Sequence, residues 1–139
     1  MSSSKILIVD VDGTVALRNG RKPFEWQRIA EDQPNHKVVD LINRVASTDV
    51  SIIFVSGREE RYRDVTSEWL KKYVNFPFKL YCRADFDQRA DEIIKLEIFK
   101  SELQEKYEVL AVLDDRDKVV KMWREKAGLV CLQVAEGDF

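Results

Sequence analysis

Histidine occurs once in this chain, at His36, and cysteine twice, at Cys82 and Cys131. None of these residues has zinc-site spacing, and two cysteines can form at most one disulfide. Both are expected to stay reduced in the core. His36 stands near a helix start and reads as a surface residue. Long apolar runs are also missing. The polar start Met1-Ser2-Ser3-Ser4-Lys5 precedes an apolar stretch too short for a signal peptide or a membrane span. A soluble, cytoplasmic protein without a membrane partner is expected. The net charge is only −2, which leaves no global attraction for nucleic acid or a membrane surface. Affinity for a polyanion must then come from a local patch. Repeats, low-complexity stretches and linkers are absent. With 139 residues, 45% of them hydrophobic, one domain spanning 1–139 around a single core is expected.

What the chain does have is strands that end in polar groups. Lys5-Ile6-Leu7-Ile8-Val9 reads as a buried parallel strand, and it runs straight into Asp10-Val11-Asp12-Gly13-Thr14. Residues two apart on extended chain point the same way, so Asp10 and Asp12 share a side while Val11 faces the core. Gly13 permits a sharp turn, and Thr14 offers a hydroxyl. Val15 to Gln33 reads as a loop or short flap. Val38, Leu41, Ile42 and Val45 have the spacing of an amphipathic helix that starts near Pro34 and Asn35. A second strand, Ser51 to Val55, ends in the polar turn Ser56-Gly57-Arg58. A helix from about Glu60 to Tyr73 presents Tyr62, Val65, Trp69 and Leu70, and Pro77 separates it from a strand at Phe78 to Cys82. The loop Arg83 to Arg89 leads to a helix from about Ala90 to Tyr107, which carries Asp91 and Lys95. Val109 to Leu113 forms a strand entering Asp114-Asp115-Arg116. A helix near Lys118 to Lys126 and a strand at Leu129 to Val134 complete the chain. Alternating strands and helices predict an α/β, doubly wound, mainly parallel Rossmann-like sheet with right-handed crossovers.

A parallel sheet brings the ends of its strands to one edge, where ligands bind in folds of this class. Asp10, Asp12, Asp114 and Asp115 would repel one another there unless protonated or neutralised, and all-oxygen donors favour Mg²⁺. Ser56, Arg58 and Lys95 complement a phosphoryl group. An aspartate beside such a group is a competent nucleophile, and a second acid can serve as proton donor and acceptor. Taken singly, each residue also has a plain structural reading. Asp91 can pair with Lys95 across one helical turn, and Asp114 to Asp117 can cap a helix. Arg18, Arg21, Lys22, Arg58, Arg61 and Arg63 cluster in sequence near two of the strand ends and suggest a basic rim. Were the ligand a nucleic acid end, Phe24 or Trp26 would either stack its terminal base or pack the flap onto the body.

In this order, Asp10-Val11-Asp12-Gly13-Thr14, Ser56, Lys95 and Asp114-Asp115 resemble the four signatures of the haloacid dehalogenase superfamily. Within it, nearly the whole chain is similar to the 3′-phosphatase domains of polynucleotide kinase–phosphatases of the T-even bacteriophage type. The similarity includes Asn19-Gly20-Arg21, Val55-Ser56-Gly57-Arg58-Glu59, Asp91 to Lys95, Met122-Trp123-Arg124 and Gly137-Asp138-Phe139. It implies a haloacid dehalogenase-like fold with a minimal cap. It also implies a Mg²⁺-dependent enzyme removing terminal 3′-phosphates from DNA or RNA ends, with 2′,3′-cyclic phosphates as a further candidate substrate. By position Asp10 is the nucleophile and Asp12 the general acid/base. Asp114 binds the metal with Asp10 and the Asp12 carbonyl, and Asp115 supports the metal shell. Ser56 and Lys95 hold the phosphate, Thr14, Arg21 and Arg58 also bind substrate, and Asp91 orients Lys95. Arg21 and Arg58 fall on positions important for activity. The P-loop of the family's kinase domain, Gly-x-x-x-x-Gly-Lys-[Ser/Thr], is absent, so 5′-kinase activity is not expected and pairing with a separate kinase or ligase is. Two rivals stand beside this reading: a phosphatase for nucleotides or other small esters, and a receiver-like phospho-switch.

Overall fold

The computed structural model describes residues 4–139. Its main sheet has five parallel strands in the order β5-β4-β1-β6-β7: β1 (Lys5–Val9), β4 (Val50–Glu59), β5 (Phe78–Arg83), β6 (Glu108–Asp114) and β7 (Cys131–Gln133). Four α-helices lie between them: α1 (His36–Val45), α2 (Arg63–Tyr73), α3 (Asp91–Ile98) and α4 (Asp117–Glu125). The chain leaves β1 toward β4 and β5, then crosses back to place β6 on the other side of β1. The strand order therefore reverses beside β1, and the ends of β1 and β6 flank the crevice that such a reversal opens.

Alternation along the strands builds a core on each face of the sheet. Leu7, Val9, Ile52, Phe54 and Leu113 point to one side, where they meet Val39 and Ile42 of α1 and Trp69 and Leu70 of α2. Ile6, Ile8, Ile53, Val55 and Val112 point to the other. There they meet Val119, Val120, Met122 and Trp123 of α4, together with Phe99 and Leu103 of the π-helical continuation of α3. Burial on both faces explains why these strands are continuously apolar.

A register shift in this sheet bears directly on the site. Lys5 and Ile6 pair with Glu108 and Val109, but Leu7 pairs with Ala111. Leu110 is skipped and its side chain is half exposed. Val9 consequently lies opposite Leu113, and the Asp10 amide donates to the Leu113 carbonyl at 2.9 Å. Without the bulge, Asp10 would lie opposite Leu113 and one residue short of Asp114.

The connection from β1 to α1 is more ordered than a plain loop. It holds the short antiparallel pair β2 (Ala16–Leu17) and β3 (Gln33–Pro34) and a 3-10 turn, Trp26–Glu31. This small insert contributes Arg18, Arg21, Pro23 and Trp26 to the cavity at the sheet edge. Several expected boundaries differ, among them the last strand, which is limited to Cys131–Gln133 instead of Leu129 to Val134. β4 continues through Ser56-Gly57-Arg58 to Glu59 as an irregular strand, because Glu59 pairs again with Arg83. Residues 60–62 form a 3-10 turn before α2, whose buried residues are Thr66, Trp69 and Leu70, with Val65 only half buried. The helix after Ala90 changes to π geometry at Phe99. His36 is exposed, Cys131 is buried and Cys82 half buried, and both cysteines are free. Among the described residues no helix is long and apolar enough to cross a membrane.

Candidate active site

Asp10, Asp114 and Asp115 meet at the carboxyl edge of β1 and β6. One carboxylate oxygen from each lies within 4.8 Å of the others, and all three residues are buried. Lys95, from the second turn of α3, reaches the cluster from the opposite face. Its Nζ donates to Asp10 Oδ1 at 2.7 Å and to Asp114 Oδ2 at 3.0 Å. Asp114 is further fixed by the amides of Asp115 and Arg116, which donate to Oδ1, and by Trp123 Nε1, which donates to Oδ2 at 3.3 Å. Thr14 is buried, and its hydroxyl donates to Asp10 Oδ2 at 3.0 Å and to Asp115 Oδ1 at 3.4 Å. The structure thus gives Thr14 the carboxylates as partners, where substrate had been expected. A three-residue turn places it there: the amides of Thr14, Val15 and Ala16 all donate to the Val11 carbonyl, and Gly13 turns at φ +81°.

Three acids with one lysine remain under-compensated. Burial, followed by the charge of Asp114, drives the Asp10 carboxyl well above its ordinary range despite Lys95. Burial also raises Asp115. Burial alone would lower the Lys95 ammonium, but the charges of Asp10 and Asp114 outweigh it and hold the lysine protonated. Three converging carboxylates short of positive charge could hold a hard divalent cation.

Asp12 occupies a different environment. Its carboxylate is held by Arg58 through two hydrogen bonds, 2.9 Å from Nε and 2.7 Å from Nη2, with Arg21 Nη2 at 3.5 Å. Its side chain stays 38% exposed toward the cavity. The side chain of Asp12 is thus engaged by the arginines, which is compatible with the expectation that only its backbone carbonyl meets a metal. Arg58 is buried; burial alone would lower its guanidinium, but the charge and hydrogen bond of Asp12 together with the charges of Asp32 and Asp10 outweigh it and hold the arginine protonated. Behind both arginines stands Asp32, which accepts from Arg21 Nε at 2.7 Å and from Arg58 Nη2 at 3.0 Å. The Asp32 carbonyl accepts from Trp69 Nε1 at 2.9 Å, so α2 anchors the insert. Thr66 Oγ1 accepts a further bond from Arg58 at 2.9 Å. Arg58 and Arg21 accordingly orient Asp12, with Arg58 itself enclosed.

The remaining expected residues sit as follows. Ser56 is buried at the end of the regular part of β4, and its Oγ accepts from the Arg58 amide at 3.0 Å. Asp91 does not bond Lys95. Its two oxygens go to Arg83 and, at 3.0 Å, to Arg116, because the carboxylate leans toward Gly57 and the loop before α3. Its charge reaches Lys95 only over a longer distance. Of the six cations proposed as a basic rim, Arg18, Arg21 and Arg61 line the cavity, while Arg63 turns away to Glu60 and the Leu80 carbonyl. Arg83 and Arg116 line it as well. Trp26 lines the cavity packed between Tyr62, at a 5.7 Å ring separation, and the guanidiniums of Arg21 and Arg58; Phe24 is 71% exposed and points elsewhere. The cavity holds about 660 Å³ and contains Asp10, Asp12, Lys95, Asp114 and Asp115 along one wall.

A nucleophile-like aspartate at the end of the central strand, a second two residues on, a buried lysine from α3 and paired acids after the adjacent strand define the haloacid dehalogenase type of phosphoryl-transfer domain. Comparison with known proteins narrows that class. The family profile of the polynucleotide kinase PNKP phosphatase domain matches residues 4–139, and the chain belongs to that family. A protein of Autographa californica nuclear polyhedrosis virus, described as a candidate bifunctional polynucleotide kinase/RNA ligase, is 35% identical over 124 residues, 87% of this chain and 18% of the viral one. A chain in the structure of the Pnkp1/Rnl/Hen1 RNA repair complex superimposes with a TM-score of 0.90 at 41% identity, over 99% of this chain and 44% of that one. A chain in a second structure of the Pnkp1/Rnl/Hen1 complex gives 0.92 at 41% identity, over 99% and 48%. The chain thus spans less than half the length of each of these relatives.

Proposed function

We propose that this protein is a Mg²⁺-dependent phosphatase that removes the terminal 3′-phosphate from nucleic acid strands. The observation that carries the reading is the contrast between two aspartates two residues apart. Asp10 sits in the acid cluster against Lys95, whereas Asp12 is clamped by Arg58 and faces the cavity. Two carboxylates in such different surroundings suit two different roles.

Asp10 attacks phosphorus and the strand's O3′ leaves, taking a proton from Asp12. Water then attacks the aspartyl-phosphate, Asp12 takes its proton, and phosphate departs with Asp10 regenerated. Lys95 holds Asp10 and offsets charge on the phosphoryl oxygens. Arg58, Arg21 and Asp32 keep Asp12 in line with the leaving oxygen. The carboxylates of Asp10, Asp114 and Asp115 would hold the cation, which when bound supplies further charge neutralisation to the phosphoryl group. A strand left with a 3′-hydroxyl is ready for ligation, which fits the RNA ligase and RNA repair named among the relatives and favours pairing with a separate kinase or ligase.

Phosphate release from matched 3′-phosphoryl and 5′-phosphoryl oligonucleotides tests the reading, with a nucleoside 3′-monophosphate alongside. With Mg²⁺, release from the 3′ end alone is expected, and Asp10→Asn should abolish it. Equal release from both ends, or faster turnover of the mononucleotide than of the strand, would defeat the assignment.

A further inference from the structure

We infer that Phe86 is a stacking platform for the terminal nucleobase of the strand, an inference that rests on the nucleic acid reading above. Phe86 lines the same cavity as Asp10, yet it is 76% exposed. It is the one non-glycine residue with positive φ, +65°, among the described residues. Both features are costly for a phenylalanine: the ring forgoes burial, and its Cβ crowds the backbone. Strain of this kind persists only where the surroundings enforce it.

Here they do. The Phe86 amide donates to Glu59 Oε2 at 2.6 Å, and the other oxygen of Glu59 pairs with Arg61 Nη2 at 3.0 Å. The Arg61 amide donates to Asp85 Oδ1 at 2.8 Å. The irregular end of β4 and the loop before α3 are thereby tied together, and the backbone that carries the ring is held at this position. Flat groups then succeed one another along the cavity rim. Trp26 stacks on Tyr62, Arg61 lies 5.1 Å from the Tyr62 ring centre and 4.9 Å from that of Phe86, and Phe86 ends the series with an open face. Arg61 and Arg18 supply positive charge to the same cavity wall. An aromatic face backed by a guanidinium, beside cations and a phosphoryl-transfer centre, suits a base attached to a phosphate. Stacking needs no particular base, so the site would accept strands of any terminal sequence.

The test uses fluorescence anisotropy with EDTA present. Two labelled eight-nucleotide strands are compared, one ending in adenosine 3′-phosphate and the other in an abasic 3′-phosphate. Base–aromatic stacking should make the wild-type protein bind the base-bearing strand about tenfold more tightly. Phe86→Ala and Phe86→Asn should bind both strands alike, and Phe86→Trp should keep the preference; asparagine is included because it tolerates the left-handed backbone. Phe86→Asn should melt no lower than the wild type, because asparagine tolerates the left-handed backbone, so a lost preference in that variant is not a loss of fold. A preference that survives in Phe86→Ala and Phe86→Asn, or none in the wild type, overturns the inference. Phe86-dependent binding of a strand that is never dephosphorylated would sink the 3′-phosphatase reading and leave the stacking intact. Dephosphorylation that ignores the terminal base would do the reverse.

Discussion

Lys95 Nζ lies 2.7 Å from Asp10 Oδ1, a contact that joins α3 to the end of β1 across the edge of the sheet. Both groups are buried, so neither charge can be exchanged for water at low cost. Lys95→Ala would leave Asp10 and Asp114 facing each other without a cation. A loss of about 3–5 kcal/mol is expected in urea unfolding without divalent cation, the usual range for breaking a buried pair. Mg²⁺ should restore part of it, while phosphate release stays at least about a hundredfold down, as for loss of a group that stabilises transition-state charge. Lys95→Ala unfolding at the wild-type urea midpoint would show that the contact carries no such load.

The same cluster makes stability depend on pH. Burial and the charge of Asp114 raise the folded-state pKa of Asp10 above its unfolded value of 3.8. The folded state therefore binds the proton more tightly than the unfolded state. That contribution is fully present below the unfolded pKa and is lost as pH rises toward the raised folded value. Metal-free protein should lose stability over that window, and saturating Mg²⁺ should raise Tm more at pH 7.5 than at pH 5. Asp10→Asn should flatten the metal-free profile and shrink the Mg²⁺ response. Calorimetry with EDTA and with Mg²⁺ gives both curves, and a Mg²⁺ shift that is identical at the two pH values would contradict the cluster's role.

Asp32 holds Arg21 and Arg58 from behind and never meets the cavity. Asp32→Asn keeps the shape but removes the charge on which both guanidiniums rest. Asp12 then loses its fixed direction while the acid cluster is untouched. A fall in kcat of roughly ten- to a hundredfold with little change in KM is expected, since a misaligned proton donor slows chemistry without weakening the grip on substrate. A change in KM alone would instead assign Asp32 to substrate binding.

The strands and their order of polar ends were legible because burial on both faces writes itself as β-branched runs. That was enough to expect Asp10 beside Asp114, although the bulge at Leu110 that secures this register left no mark in the sequence. Asp32 was invisible for a different reason: it lies in an insert without periodicity, eleven residues from one partner and twenty-six from the other. Phe86 was hidden inside a polar loop, where nothing local announces a positive φ. Asp91 misled because helical spacing suggested Lys95 as its partner. The actual partners, Arg83 and Arg116, approach from β5 and from the turn after β6 and could be placed only once the sheet was assembled.

Gly13 separates Asp12 from Thr14 at φ +81°, and a Cβ built there would lie 2.7 Å from the Asp115 Cγ. Gly13→Ala therefore meets two penalties, one from the left-handed backbone and one from the carboxylate that must move. The first alone costs about 1–3 kcal/mol. The second acts on function, because Asp115 cannot retreat without giving up its Thr14 contact and its place in the acid cluster. Gly13→Ala is expected to unfold earlier in urea and to require more Mg²⁺ for half-maximal phosphate release. Gly20→Ala is the control: it shares a positive φ of +75° but has nothing within 4 Å of its Cβ, so it should lose stability alone. If both variants shift the Mg²⁺ requirement equally, backbone strain and not the Asp115 contact is responsible.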